Sequence, residues 1–516
     1  MKKLILIKVF LLFGLLAFSQ PVSYDSTFGS NGISTICFAQ DGFVNIDMEA
    51  QNNGKFISVA NGIGSANDIV FGYFSRTNNN GTLDTTFGTN GFYTFSNQTT
   101  SVLQTNSIYS LQDIEIQSDN KIVAVGFKQS NTNSFCVARL NSDGGLDTTF
   151  NTTGFFEYNF GTIQNFGGCV KIQNDDKIIV GGSSGNNTEF FSMIRLMSNG
   201  SLDTGFGVSG KVQTLMSGQC RANSIAIQTD GKILLGGYAL NNPNNYDFAL
   251  VRYMANGHLD TSFGVNGIVT TTINAFYPDV IYKVLVQNNG KIVVVGNEAD
   301  NTGASRIAAV RYLDNGTIDS AFAINGIYIS NNYNFSSDAA IQVDDKIVIT
   351  GGNKDAGFIK FNVIRLNTDG SIDADFQIGG LILPFENTLS SSKSVVIQTD
   401  NKIVCGGSVE TTPSTSCSDL SLAMVRLNPG TLSNQTFVNS NVKPYPNPTI
   451  GNVFFDNSVN QYENVSVYNY LGQEITEKQL SSTANETIDF SSFSKGVYVL
   501  KFKNENSAEV VKVIRE

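Results

Sequence analysis

The chain has 516 residues, 41% hydrophobic and only 15% charged, with 33 basic against 44 acidic side chains for a net charge of −11. That length holds about three domains, and so acidic a chain lacks the basic footprint of a nucleic-acid binder. With 49 Gly, 37 Phe, 18 Tyr, no Trp and one His, the composition favours strands and turns and excludes a His-based metal centre or a His-dependent triad.

At the N-terminus, Lys2 and Lys3 precede an apolar run from Leu4 to Phe18, and Ala17-Phe18-Ser19 supplies small residues before a cleavage point after Ser19. Residues 1–19 therefore read as a signal peptide, since the run is shorter than the ~20 residues that span a membrane. No later segment is long and apolar enough, so no transmembrane segment is expected. Cys37, Cys136, Cys169, Cys220, Cys405 and Cys417 have no motif spacing, and their pairing cannot be deduced.

The middle of the chain is one unit written seven times. Gln51, Gln117, Gln173, Gln228, Gln287, Gln342 and Gln398 each stand four residues before a Lys (Lys55, Lys121, Lys177, Lys232, Lys291, Lys346, Lys402), with an Asn/Asp/Gly pair just ahead of that Lys. An Arg follows at the end of a later strand (Arg76, Arg139, Arg195, Arg252, Arg311, Arg365, Arg426), then a second Asn-Gly or Asp-Gly turn, then Leu/Ile-Asp-x-x-Phe. Each repeat predicts strand A (224–228 in the fourth), a two-residue turn, strand B (232–238), a variable loop, strand C (248–253), and strand D after the LDxxFGxNG corner.

Such meanders predict an all-β fold, a seven-bladed β-propeller of four-stranded antiparallel blades over residues 20–438. The segment 25–38 is a corner and a strand D without strands A to C before it, and the seventh repeat has strands A to C, a degenerate corner at 430–437 and no strand D. Residues 33–38 are therefore expected to supply the outer strand of the last blade and close the ring. After a linker at 439–444, residues 445–516 read as a small C-terminal β-sandwich.

The QxDGKIVxxG…RLxxDGxLDxxFGxxG pattern, carried by Gln117, Lys121, Arg139, Asp147 and Phe150 and again by Gln228, Lys232, Arg252, Asp260 and Phe263, resembles the delta-60 repeat family. That resemblance implies a propeller-like array on exported proteins and no established catalytic residues. The end of the chain resembles a type A sorting domain of the type IX secretion system of Bacteroidota. The matching positions are Pro446, Asn447, Pro448 and Gly451, Gly472 in VSVYNYLGQEI, Gly496 and Tyr498 in KGVYVLKF, and Lys512 and Arg515 in VVKVIR. It implies partnership with the type IX machinery, periplasmic transit, and secretion or attachment at the outer-membrane surface.

Several residues invite a chemical role. The corner aspartates Asp25, Asp84, Asp147, Asp203, Asp260, Asp319 and Asp373 recur once per blade, which reads as structural, each paired with a repeat Arg. The repeat Gln is expected to satisfy backbone groups. His258 fills a solvated turn slot. The Asp/Asn-rich turns offer calcium-type ligands without the EF-hand spacing, so no cofactor is expected beyond incidental calcium. Repeat-breaking acids such as Glu189, Glu298, Asp300 and Glu410 are the candidates for a paired-carboxylate glycosidase. Length variation gathers in the B–C segments 128–134, 183–189, 239–247, 297–305, 353–357 and 408–419 and in D–A segments such as 96–112, where any ligand is expected. The expectation is a non-catalytic binding or adhesion scaffold for a glycan or surface polymer. Its rivals are a secreted polysaccharide hydrolase or lyase and a structural surface-layer component.

Overall fold

The computed structural model describes residues 22–37, 44–63, 69–95, 108–186, 188–216, 218–242, 245–332, 334–355, 358–376, 381–382, 389–410, 420–429, 442–458, 462–469, 474–481, 486–504 and 508–516. The signal peptide, the degenerate corner and Gly472 lie outside them. The chain divides into two compact units on either side of Gly430.

Local chemistry sets the hairpins. The residue directly ahead of each repeat Lys (Gly54, Asn120, Asp176, Gly231, Gly290, Asp345, Asn401) has a φ between 59° and 83°, a conformation that Gly, Asn and Asp adopt at least cost. In the second repeat the Gln117 N–H donates to the Lys121 carbonyl and the Asn120 N–H donates to the Gln117 carbonyl, both at 2.9 Å, which leaves three residues in the loop. The expected two-residue turn is therefore corrected. A type I′ turn needs positive φ at both central residues, whereas a type I turn followed by one left-handed residue needs it once.

Runs such as Ile122-Val123-Ala124-Val125 are rich in β-branched residues and form the strands. Among the described residues there is no α-helix, and the repeats give four-stranded antiparallel sheets whose strands join in chain order. The fourth comprises Cys220–Ile227, Ile233–Asn242, Asn245–Tyr253 and Ile268–Thr271. Several B–C segments read as loops are partly strand: Asn242 pairs with Asn245, so the segment at 239–247 is a strand extension around a short connection. In the seventh repeat, Ser390–Ile397, Ile403–Glu410 and Leu420–Asn428 are joined by two N-terminal strands, Ser23–Tyr24 and Ile33–Ile36. Ile33 lies opposite Val425 and Ile36 opposite Leu422.

Neighbouring sheets share cores. Val123, Val125 and Val137 of the second repeat cluster with Val170, Val180 and Ile194 of the third. Phe28 of the N-terminal corner clusters with Met48 and Phe56 of the first repeat and with Val404 and Met424 of the seventh. One irregularity recurs in all seven first strands: a β-bulge places an extra residue five positions before the repeat Gln. Bulges re-aim side chains, and these bulges shape the site described below.

The second unit has a four-stranded antiparallel sheet with Asn464–Asn469 and Gly496–Lys503 at its centre, flanked by Glu474–Gln479 and Ala508–Arg515, and a two-stranded sheet of Asn452–Phe455 and Glu486–Asp489. Val453, Phe455, Val467, Phe490, Leu500 and Phe502 form its core. Pro446 and Pro448 follow cis peptide bonds in an exposed segment. Asn447 ties that segment to the last strand, donating to the Lys512 carbonyl at 2.7 Å and accepting from the Ile514 N–H at 2.9 Å. Arg515 Nε donates to the Phe490 carbonyl at 3.0 Å, and the Phe490 N–H donates to the Gly451 carbonyl at 3.2 Å. Buried Tyr498 donates to the Ser494 carbonyl at 2.8 Å, and Gly496 opens its strand.

Candidate functional site

In repeats two to six the five recurring residues meet in one buried node. In the second repeat, Arg139 Nε donates to Asp147 Oδ2 at 2.8 Å, Lys121 Nζ lies 3.4 Å from the same oxygen, and the guanidinium sits 4.6 Å from the Phe150 ring centroid. Asp147 Oδ1 accepts the Thr149 N–H and hydroxyl, which caps the corner. Arg139 Nη1 donates to Gln117 Oε1 at 3.1 Å and to the Ser198 carbonyl of the third repeat, while Gln117 Nε2 donates to the Asp176 carbonyl of that same neighbour at 3.3 Å. In the fourth repeat Arg252 pairs with Asp260 at 2.8 Å, stacks on Phe263 at 4.5 Å and reaches Gln228 at 3.4 Å, with Lys232 at 3.8 Å from Asp260.

These aspartates are engaged within their own corners. Burial alone would raise the carboxyls of Asp25, Asp84, Asp147, Asp203, Asp260 and Asp319, yet hydrogen bonds from the corner residues and the charges of Lys and Arg hold all six below the usual carboxylate range. An acid whose two oxygens are both engaged is a poor general acid and a poor metal ligand. His258 is exposed, and its backbone N–H donates to Asn256 Oδ1. The repeat-breaking acids do not assemble. Glu298 pairs with Arg306, Glu189 accepts the Cys220 N–H at 3.0 Å, Asp300 caps its own turn, and Glu410 accepts the Leu389 N–H at 3.3 Å. Each of these candidates serves a local backbone or ionic partner.

The chemistry gathers elsewhere. Residues from the first strands of all seven repeats line one cavity of about 650 Å³, among them Asp113, Lys171, Asn223, Tyr282, Asp338 and Lys393. The bulge turns the side chain five residues before the repeat Gln toward it (Gln112, Asn223, Tyr282, Ser337 and Lys393 all line it). One residue deeper, polar side chains stitch neighbouring first strands together. Asp47 Oδ2 accepts the Ile114 N–H at 3.1 Å, Asp113 Oδ2 the Val170 N–H at 2.7 Å, Ser224 Oγ the Val284 N–H at 3.0 Å, and Asp338 Oδ2 the Val395 N–H at 2.9 Å. The Ser394 hydroxyl of the seventh repeat donates to Asp47 Oδ1 of the first at 2.9 Å.

Two lysines of the cavity are ion-paired. Lys171 lies 2.5 Å from Glu115, and Lys283 lies 2.8 Å from Asp338. Burial would depress both lysines, but Glu115 and Glu49 around Lys171, and Asp338, Asp113 and Asp47 around Lys283, raise them above the ordinary value. Burial raises the carboxyl of Asp113 well above its usual value, reinforced by the adjacent Asp47 charge. Burial and the Glu115 charge push Glu49 up to about 8. Burial lowers the Lys393 ammonium. Arg221, at the outer end of its strand, sits 5.4 Å over the Phe166 ring. Among the described residues neither Arg221 nor Lys393 has an ion-pair partner. Among the described residues, no group of His, Cys, Asp and Glu has metal-site geometry.

Sequence reading missed this cavity. The available signal was the position four before the repeat Gln, which reads Asp47, Asp113, Cys169, Ser224, Lys283, Asp338, Ser394 while the residue after it stays apolar. Four cysteines, Cys136, Cys169, Cys220 and Cys405, are buried free thiols raised by burial, Cys405 to about 12, which makes them inert core fillers. Cys37 is disulfide-bonded.

Comparison with known proteins agrees with both halves of this description. Residues 443–516 match the family described as a secretion system C-terminal sorting domain. Five segments, 117–150, 173–206, 228–263, 287–322 and 342–376, match a domain of unknown function (DUF5122) beta-propeller. No curated protein matches the chain. Among solved structures, polysaccharide lyase Uly1 is similar at 11% identity and TM-score 0.47, covering 77% of this chain and 99% of its own. A catalytically inactive virginiamycin B lyase from Staphylococcus aureus is similar at 12% identity and TM-score 0.41 (76% and 98% covered). A sialidase from Trypanosoma rangeli is similar at 9% identity and TM-score 0.39 (95% and 89% covered). Likenesses this distant carry no argument about activity. The chain carries propeller repeats and a type IX sorting domain, and is exported to the cell surface or the extracellular space. No helix among the described residues is long and apolar enough to cross a membrane.

Proposed function

For an exported chain of propeller repeats with a type IX sorting domain, we propose a non-catalytic binding scaffold whose ligand seat is the cavity between the first strands. In this reading residues 20–438 form a seven-bladed propeller closed by the strand Ile33–Ile36. Residues 1–19 direct entry to the periplasm, and residues 445–516 carry the protein across the outer membrane. The single observation that carries the proposal is the convergence of seven first strands on one cavity in which the carboxylates of Asp47, Asp113 and Asp338 are engaged in holding those strands together. Rigid walls with a few convergent polar groups suit binding. Catalysis by paired acids needs them free to exchange protons.

Closure is supported by the seventh node. There the Arg, Gln and Lys of the last repeat meet the Asp and Phe of the N-terminal corner, and Arg426 Nη1 donates to the Asn79 carbonyl of the first repeat at 2.5 Å. A second reading, a polysaccharide hydrolase or lyase, draws on the contact between Asp47 and Asp113 and the raised carboxyl of the latter. A glycan-array screen of the secreted chain beside its Tyr282→Ala variant tests the scaffold. Binding that the variant weakens supports it, and a ligand hydrolysed or eliminated in the cavity refutes it in favour of the enzyme.

A further inference from the structure

We infer that the ligand of this cavity is an acidic saccharide, a sugar chain bearing carboxylate or sulfate, whose anionic groups are held at the mouth by Arg221 and Lys393. The inference rests on the binding-scaffold reading and names its ligand class.

The cavity is layered along the first strands. Each of these strands runs from the end served by the variable connections toward the Gln turn, so positions farther before the Gln lie nearer the variable mouth. Five before the Gln stand Ile46, Gln112, Gly168, Asn223, Tyr282, Ser337 and Lys393, and seven before it Val44, Ser110, Phe166, Arg221, Val280, Phe335 and Ser391. Neither layer holds a carboxylate in any repeat, and each holds one cation. Acids begin one residue deeper, and Asp47, Asp113 and Asp338 there are bound to the backbone N–H groups of Ile114, Val170 and Val395. Glu189 of the neighbouring third repeat is engaged by the Cys220 N–H. The mouth is thus a cationic and neutral-polar collar above a self-neutralised floor.

Two features select a saccharide over a bare anion. Tyr238, Tyr246 and Tyr282 line the same mouth; the first two meet edge to face at 5.0 Å between centroids, and Tyr282 is 40% exposed. Their faces pack against sugar rings while Asn223, Gln112 and Ser337 offer donors and acceptors for hydroxyls. A guanidinium grips carboxylate or sulfate through parallel N–H bonds, and a partly desolvated ammonium adds a point charge. The cavity volume of about 650 Å³ falls within the usual range of ligand sites.

Calorimetric titration of the secreted chain with trigalacturonate, with a sulfated carrageenan oligosaccharide and with neutral maltotriose tests the inference. The same titrations are run on Arg221→Ala, Lys393→Gln and Tyr282→Ala variants whose melting temperatures match the parent. At least one acidic ligand is expected to bind, with maltotriose about tenfold or more weaker, and Arg221→Ala and Lys393→Gln each to weaken the acidic ligand about tenfold. The preferred acidic probe distinguishes carboxylate from sulfate. Equal binding of maltotriose, sensitive to Tyr282→Ala but not to the two charge variants, overturns the acidic class and leaves the cavity as the binding seat. No binding of any probe overturns the inference, and a glycan array that is also silent removes the scaffold reading.

Discussion

Arg426, at the end of the last repeat strand, forms an ion pair at 2.8 Å with Asp25 of the N-terminal corner, and its guanidinium lies 4.7 Å from the Phe28 ring centroid. The two residues stand at opposite ends of the array, yet their geometry matches that of the nodes whose members lie eight residues apart, such as Arg252 and Asp260. If closure operates in solution, Asp25→Ala should cost as much stability as Asp147→Ala, about 3–5 kcal/mol for a charge left unpaired in a buried site. Deleting residues 21–40 should remove most of the cooperativity. Denaturant melts of the three proteins check this, and an Asp25 variant that melts like the parent would break the comparison.

Within one repeat, Arg252 and Asp260 should be strongly coupled. Arg252→Ala strands a buried carboxylate, and Asp260→Ala strands a buried guanidinium. Each alone should cost several kcal/mol, and the double variant should cost clearly less than the two together. Additive losses in the double-mutant cycle would mean that the pair does not act as a unit.

Stability should have an acid limb and an alkaline limb of different origin. The corner aspartates have folded pKa values below their unfolded ones, so their stabilisation is complete above about pH 4 and is lost as pH falls toward the depressed folded values. Glu49 has the opposite sign. Its folded carboxyl is raised to about 8, so the folded state binds the extra proton and stability falls as pH rises from about 4.5 through 8. Glu49→Gln should flatten the alkaline limb and leave the acid limb unchanged, as measured by melting temperature against pH. An alkaline limb unaffected by the substitution would assign that slope to another group.

The cysteine inventory makes a covalent prediction. Cys37 directly follows the N-terminal strand paired with the seventh repeat and is disulfide-bonded, whereas Cys136, Cys169, Cys220 and Cys405 are free. The sixth cysteine, Cys417, lies outside the described residues. Non-reducing peptide mapping should recover Cys37 linked to Cys417. A crosslink spanning so long a stretch of chain is worth about 6 kcal/mol in the chain-entropy picture, so reduction should lower the melting temperature of the parent and not of Cys37→Ala. A free thiol at position 37 in the exported protein would contradict the assignment.

The repeated node was legible in the sequence because all five of its residue types return in the first six repeats at nearly fixed spacing, so a reader needs only periodicity to find Gln117, Arg139, Asp147 and Phe150. Turn type was less legible: Asn-Gly suits both two-residue and three-residue loops, and only the single positive φ at positions such as Asn120 separates them. The cavity was hidden for the opposite reason. Its residues differ from repeat to repeat, as Asp113, Ser224 and Lys283 do at one equivalent position, and a search for what recurs passes over what varies. The bulge that aims them leaves no residue signature, since Gln112, Gly168, Tyr282 and Lys393 all occupy it. The acids that stood out, Glu298 and Glu410, did so by breaking the pattern in connections and strand ends, where local partners claim them.

The central claim, a binding seat among the first strands with no chemistry performed there, is tested most directly by overnight incubation of the secreted chain with its array hits. Mass spectrometry follows the ligand, and affinity is measured in parallel for the parent and the Tyr282→Ala and Lys393→Gln variants. The account predicts intact ligand throughout and affinity lost in the variants. Shortened or unsaturated products, or binding indifferent to both substitutions, would contradict it.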